Sequence, residues 1–175
     1  EEMNCTIFDA VGLGYLERTL IRDFVHTRFS LNDGKLGRAA VERPTKGDLQ
    51  AYANRLQVEL DENIRGEIAG SHIVTVVYDD HSGMVRIGLA RDITPQRRVS
   101  VMRAEASEAA VLQKCRQSIR QKRSQWVYFD RNLRVYDLHE TYIFKPMQRF
   151  QWTETQARID AADIISESIV RREST

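Results

Sequence analysis

Residues 72–91 read HIVTVVYDDHSGMVRIGLAR. Two β-branched runs, Ile73 to Tyr78 and Met84 to Leu89, flank the polar cluster DDHSG, whose residues favour a tight reversal. This pattern predicts a β-hairpin over about 72–90. It places a sheet in a chain whose other long segments carry helical periodicity.

Working outward, WVYFD, LRVYD and TYIFK are three further short β-favouring runs separated by RN and LHE, and Pro146 follows them. They predict a three-stranded meander over about 126–145. Within FDRNLRVYD the alternation sets Leu133 and Val135 on one face, read as core, and Arg134 and Tyr136 on the other, read as open. Between hairpin and meander, DITPQRRVS (92–100) reads as a linker or an edge segment broken by Pro95.

Four segments read as helices. Ile7 to Arg28 is amphipathic, with Phe8, Val11, Leu16, Leu20, Phe24 and Val25 recurring around Glu17, Arg18, Arg22 and Asp23, and a start after Gly12 or Gly14. A loop follows over 30–45. Thr45 opens a second helix to about Ile64, with Leu49, Tyr52, Ala53, Leu56 and Leu60 on one stripe. Glu105 to Lys122 turns Ala109, Leu112, Cys115 and Ile119 inward and shows a basic outer face. The last helix runs from Glu154 to about Arg171 behind Thr153, with Gln156 completing a T-x-x-Q capping box. The expected architecture is therefore α+β, with an antiparallel sheet and about four helices packed on it, in a single domain over 1–175.

Composition narrows the class. At 175 residues with 42% hydrophobic and 29% charged side chains, the chain suits one globular unit, and no apolar run approaches the ~20 residues of a membrane span. A cytoplasmic location is expected. Glu1 as first residue, with Met3 behind it, reads as a fragment or module of a longer protein of bacterial type. Cys5 and Cys115 stand alone and predict neither a disulfide framework nor a zinc site. Of 26 basic residues only five are lysine. Residues 1–90 hold 10 basic and 14 acidic side chains, whereas 91–175 hold 16 and 11, so an anionic partner would meet the C-terminal half.

No nucleotide-binding glycine motif and no G-x-S-x-G elbow occurs. Glu140 and Lys145 stand five apart, not two, which sends them to opposite faces of a strand and breaks the acidic-x-lysine arrangement of restriction-type nucleases. Asp79, Asp80 and His81 carry the groups for a divalent metal, and they are equally what a polar hairpin turn uses. Arg116, Arg120 and Arg123 follow i, i+4, i+7 spacing on the third helix, and Arg131, Arg134, Tyr136 and Arg149 follow in and after the meander. Guanidinium groups beside tyrosines suit phosphates or a carboxylate-bearing partner. The expectation is a non-enzymatic binding or assembly module that uses these residues toward another protein or domain, without a cofactor. Phosphate contact with DNA or RNA through the same arginines is the alternative, and a metal-dependent hydrolase or nuclease at Asp79, Asp80 and His81 is the second.

Overall fold

The computed structural model describes residues 2–25, 40–66, 68–122, 133–137 and 139–173. Among these, five strands form one sheet: β1 (Ser71–Tyr78), β2 (Ser82–Ala90), β3 (Val99–Arg103), β4 (Leu133–Tyr136) and β5 (Glu140–Pro146). The spatial order is β3-β1-β2-β5-β4. Five helices accompany it: α1 (Glu2–Ala10), α2 (Tyr15–Asp23), α3 (Lys46–Ile64), α4 (Ala106–Lys122) and α5 (Glu154–Glu173). The α+β class stands.

The expected antiparallel sheet is instead mixed. β1, β2, β5 and β4 pair antiparallel in turn, but β3 lies parallel to β1, in register from Val74 opposite Val99 to Tyr78 opposite Arg103. The segment read as a linker or an edge segment thus ends in an edge strand. Pro95 sits ahead of it in a 3-10 turn (Pro95–Arg97), where a missing amide hydrogen interrupts no ladder. Of the expected meander, β4 and β5 form an antiparallel pair, and WVYFD lies outside the described residues.

Period-two alternation gives the sheet its buried face. Val74 and Val76 of β1, Val85 and Ile87 of β2 and Ile143 of β5 join Leu49, Tyr52, Ala53, Leu56 and Leu60 of α3 and Ala157, Ala161 and Ile164 of α5 in one cluster. α3 and α5 pack beside each other, with α3 over β1 and β3. α3 starts at a reciprocal cap, in which Thr45 Oγ1 accepts from Asp48 N and Thr45 N donates to Asp48 Oδ2. Only half of the box expected at α5 forms. Gln156 N donates to Thr153 Oγ1 (3.1 Å), while the Gln156 side chain turns to Asp160 Oδ1 (3.1 Å). α4 packs on β2 and buries Leu112 outside this cluster.

The amphipathic segment 7–28 holds its helix start where expected, after Gly14 at Tyr15, and the separate helix α1 lies before it across a break at 11–14. Gly12 sits there at φ +71°, a conformation glycine adopts without steric cost. α2 then docks on α5.

At the head of β2, a Cβ on Gly83 would lie 2.6 Å from Cζ2 and 2.7 Å from Cη2 of Trp152, an indole almost fully buried. Gly83→Ala therefore forces the indole or the strand to move, and it is expected to destabilise the protein by about 1–3 kcal/mol. A urea titration checks this: the midpoint falls with the slope unchanged. Gly88→Ala on the same strand, whose nearest obstacle is Glu140 Oε1 at 3.8 Å, holds or raises the midpoint. Equal effects at the two sites would mean that the indole does not fill the space over Gly83.

Candidate functional site

The most unusual chemistry lies inside the core. Lys145 points from β5 into the cluster, and Pro146 and the 3-10 turn Arg149–Gln151 bring the chain back over it. Its ammonium pairs with Asp160 of α5, and neither side chain is exposed. Lys145 Nζ also donates to Gln151 O (3.0 Å), and it stands 4.1 Å from the ring centre of Tyr52 and 5.4 Å from that of Trp152. Tyr52 OH donates to Asp160 Oδ2 (2.6 Å), and the two rings meet edge to face at 5.2 Å. Trp152 Nε1 donates to Pro146 O (2.9 Å).

Burial lowers the pKa of the Lys145 ammonium against the pull of Asp160. Burial and the neighbouring Asp160 carboxylate raise that of Tyr52 well above its ordinary value. A lysine so perturbed is a candidate base or nucleophile on chemical grounds. Its geometry speaks for a structural role: Nζ is spent on a carboxylate, a carbonyl and two ring faces, and it has no solvent exposure through which a substrate would reach it.

Of the residues read from the sequence as a basic face, the structure describes the side chains of Arg116, Arg134, Tyr136 and Arg149. Arg134 donates to Glu167 Oε1 (2.7 Å) and to Asp163, both on α5, while Tyr136 OH donates to Glu167. Burial works against the Arg134 charge, but these carboxylates outweigh it and raise its pKa. The alternation expected in β4 is present with its faces exchanged: Arg134 and Tyr136 lie under α5, and Leu133 and Val135 are exposed. The acidic stripe of α5 decides this orientation. Arg149 is held by Glu42, through its amide on Glu42 O (2.8 Å) and its guanidinium at 3.7 Å, and by Asp48 at 3.5 Å. Arg116 is half-buried on α4, where its charge acts on Asp79. The side chains of Arg120, Arg123 and Arg131 lie outside the described residues.

The hairpin tip places Asp79, Asp80 and His81 on separate duties. Asp79 Oδ1 accepts from His81 N (2.7 Å), Ser82 N (2.7 Å) and Ser82 Oγ (3.3 Å), a side-chain-closed turn. Partial burial opposes its charge, but these bonds and Arg116 prevail and lower its pKa. Asp80 Oδ1 lies 2.7 Å from both Arg43 and Arg103. His81 is exposed, and its carbonyl accepts from Met147 N (3.1 Å). Among the described residues, no three His, Cys, Asp or Glu side chains are grouped to hold a metal ion.

A surface missed in the sequence lies on α2. Thr19 is buried, Asp23 Oδ2 accepts from Thr155 N (2.9 Å) at the start of α5, and Tyr15 OH donates to Glu154 Oε2 (2.7 Å). The helix's apolar residues are left open. Leu16, Leu20 and Ile21, with Phe24 and Val25 just after the helix, keep 38–53% of their surface exposed. Leu20, Ile21, Asp23, Phe24 and Thr155 line a cleft of about 360 Å³. The periodicity marked the helix as amphipathic; it held no sign that its apolar residues would stay open. Among the described residues no helix is long and apolar enough to cross a membrane.

The core assignment carries two tests. Asp160→Ala strands a buried ammonium, and a loss of about 3–5 kcal/mol is expected, whereas Lys145→Met with Asp160→Leu recovers most of it. Equilibrium unfolding of both variants measures the difference, and an additive double variant would refute the pairing. Stability also depends on pH in a defined sense. Above ~10.4 an unfolded lysine has lost its proton, as has the buried Lys145 with its lowered pKa, so Lys145 gives no slope there. Tyr52 has the raised folded pKa, so stability present below ~10 declines as pH rises beyond it. In denaturation series from pH 9 to 11.5, Tyr52→Phe is expected to flatten this decline.

Comparisons with protein-family models, with curated proteins and with solved structures find no match to this chain, so the geometry of its own residues carries the functional reading.

Proposed function

We propose that this chain is a non-enzymatic assembly module that docks a partner protein through the exposed apolar residues of α2. The observation that carries this reading is the exposure of the helix's apolar residues. A surface helix ordinarily buries its apolar stripe. α2 is held to α5 by Asp23 and Tyr15, buries Thr19, and leaves Leu16, Leu20, Ile21, Phe24 and Val25 38–53% exposed. Together these five expose on the order of 400–500 Å² of apolar surface, the size at which a patch on a monomer is commonly an interaction site. Ile7, Val11 and Tyr15 nearby are exposed by more than half. Adding them brings the N-terminal surface toward the roughly 800 Å² that each side of a stable interface buries.

The adjoining cleft supports an anchor. Its about 360 Å³ accommodates one large apolar side chain, with Thr155 and Asp23 at its polar margin. Interface energies concentrate in such pockets. The partner chemistry that fits is an amphipathic helix offering apolar anchors at i, i+3, i+4 and i+7.

The arginines that first pointed toward a polyanion give less support. Arg134 and Arg149 already meet carboxylates within the fold, and phosphate binding there would have to displace Asp163, Glu167, Glu42 and Asp48.

A photocrosslinking residue placed at Ile21 is expected to yield one defined adduct with a partner in the native cell. The same residue at Val58, an exposed position of α3, yields none. Leu16→Glu with Phe24→Glu abolishes the adduct while leaving the protein folded, because Leu16 keeps 41% and Phe24 53% of its surface exposed. Loss of the fold in that variant would mean that these apolar residues are part of the core. An adduct that persists in it would overturn α2 as the docking surface.

A further inference from the structure

We infer that the outer edge of β3 accepts an extended acidic segment of a partner protein as a sixth strand. Two hydrogen bonds fix the direction of its backbone. Val74 N donates to Arg98 O (2.7 Å) and Ala104 N donates to Tyr78 O (2.9 Å), so the even-numbered peptide groups from Arg98 to Ala104 face β1. By strand alternation, the N–H and C=O groups of Val99, Val101 and Arg103 face away from the sheet. β3 is the last strand on this side among the described residues.

Natural edge strands are commonly blunted by proline, lysine or a bulge. VSVMR contains neither residue, and its register with β1 runs unbroken over all five positions. Val99 and Val101 pack against the core, which holds the strand rigid while its outer polar groups stay in line. Such an edge is the template used in β-strand addition, where main-chain bonds supply affinity and flanking side chains supply selectivity.

The flanks select the occupant. Arg97 and Arg98 stand at the start of β3 and Arg103 at its end. Arg98 is half-buried, and its Nε has no hydrogen-bond acceptor among the described residues. Arg103 shares the Asp80 carboxylate with Arg43. An acidic strand complements the Arg97–Arg98 end. A second copy complements it less well: antiparallel pairing of β3 with itself about Val101 sets Arg98 of each copy opposite Ala104 of the other and Arg103 opposite Val99, so neither arginine meets a carboxylate across the strands.

The test uses the whole chain and a fluorescein-labelled alternating Glu-Val peptide, with a Lys-Val peptide of equal length as reference. Anisotropy is expected to rise with the acidic peptide only, and amide exchange is expected to slow at Val99, Val101 and Arg103. Val101→Pro removes an outward N–H without touching the β1 ladder, and binding weakens about tenfold as an edge hydrogen bond and its neighbour are lost. Arg97→Glu with Arg98→Glu weakens it similarly. Leu16→Glu with Phe24→Glu on α2 leaves it unchanged, so failure here is separable from failure of the α2 surface. Equal binding of both peptides, no binding, or full binding by Val101→Pro overturns the inference. Protection of the same amides in concentrated protein alone, with a doubled mass, also overturns it and assigns the edge to a second copy.

Discussion

A single charge pair closes the core. Lys145 from β5 and Asp160 from α5 meet with no exposure to solvent, and Tyr52 of α3, Gln156 of α5 and the carbonyl of Gln151 complete the hydrogen bonding around them. Two ions removed from water recover their desolvation cost only when every partner is in place. The pair therefore acts less as a source of stability than as a condition on the arrangement: sheet, both helices and the turn after β5 must all be correctly placed before either charge is satisfied. Trp152 closes the same site from above, and Gly83 exists to admit it.

That condition explains why some of the fold was legible in the sequence and some was not. The hairpin, the spans of α3, α4 and α5 and the cap at Thr45 follow from local periodicity and capping chemistry, which depend on neighbours in the chain. The facing of β4 does not. Alternation places Arg134 and Tyr136 together, but which face becomes the core depends on Asp163 and Glu167, some thirty residues away. Nothing local around Lys145 in TYIFKP announces a buried carboxylate at Asp160, fifteen residues on. β3 was legible only as one of two readings, for another reason: five residues behind Pro95 are too few to declare a period, and parallel pairing with β1 leaves no turn signature.

The candidate site shows the same split. The arginine bias is plain in composition, yet composition does not say where the carboxylates stand. Arg134, Arg149, Arg43 and Arg103 each meet one or two, so much of the positive charge counted in the sequence is compensated at short range. Apolar periodicity misleads in the opposite direction. Leu16, Leu20 and Phe24 have the spacing of a buried stripe, and the structure leaves them exposed while Asp23 caps the first turn of α5 and Thr19 is buried. The fold thus puts several charges inward and leaves the apolar residues of one helix open.

This exchange separates the two surfaces in space and in kind. α2 rests on the start of α5, the helix that also holds β4 through Arg134, while β3 lies at the other end of the sheet beneath α3. One surface is apolar and presented by a helix; the other is a backbone edge bracketed by arginines. Neither competes with the other for a partner's chemistry, and each leaves the Lys145 centre undisturbed. A charge pair that holds only in one arrangement fixes α5, on which α2 rests, relative to β5 and so to the sheet that ends in β3.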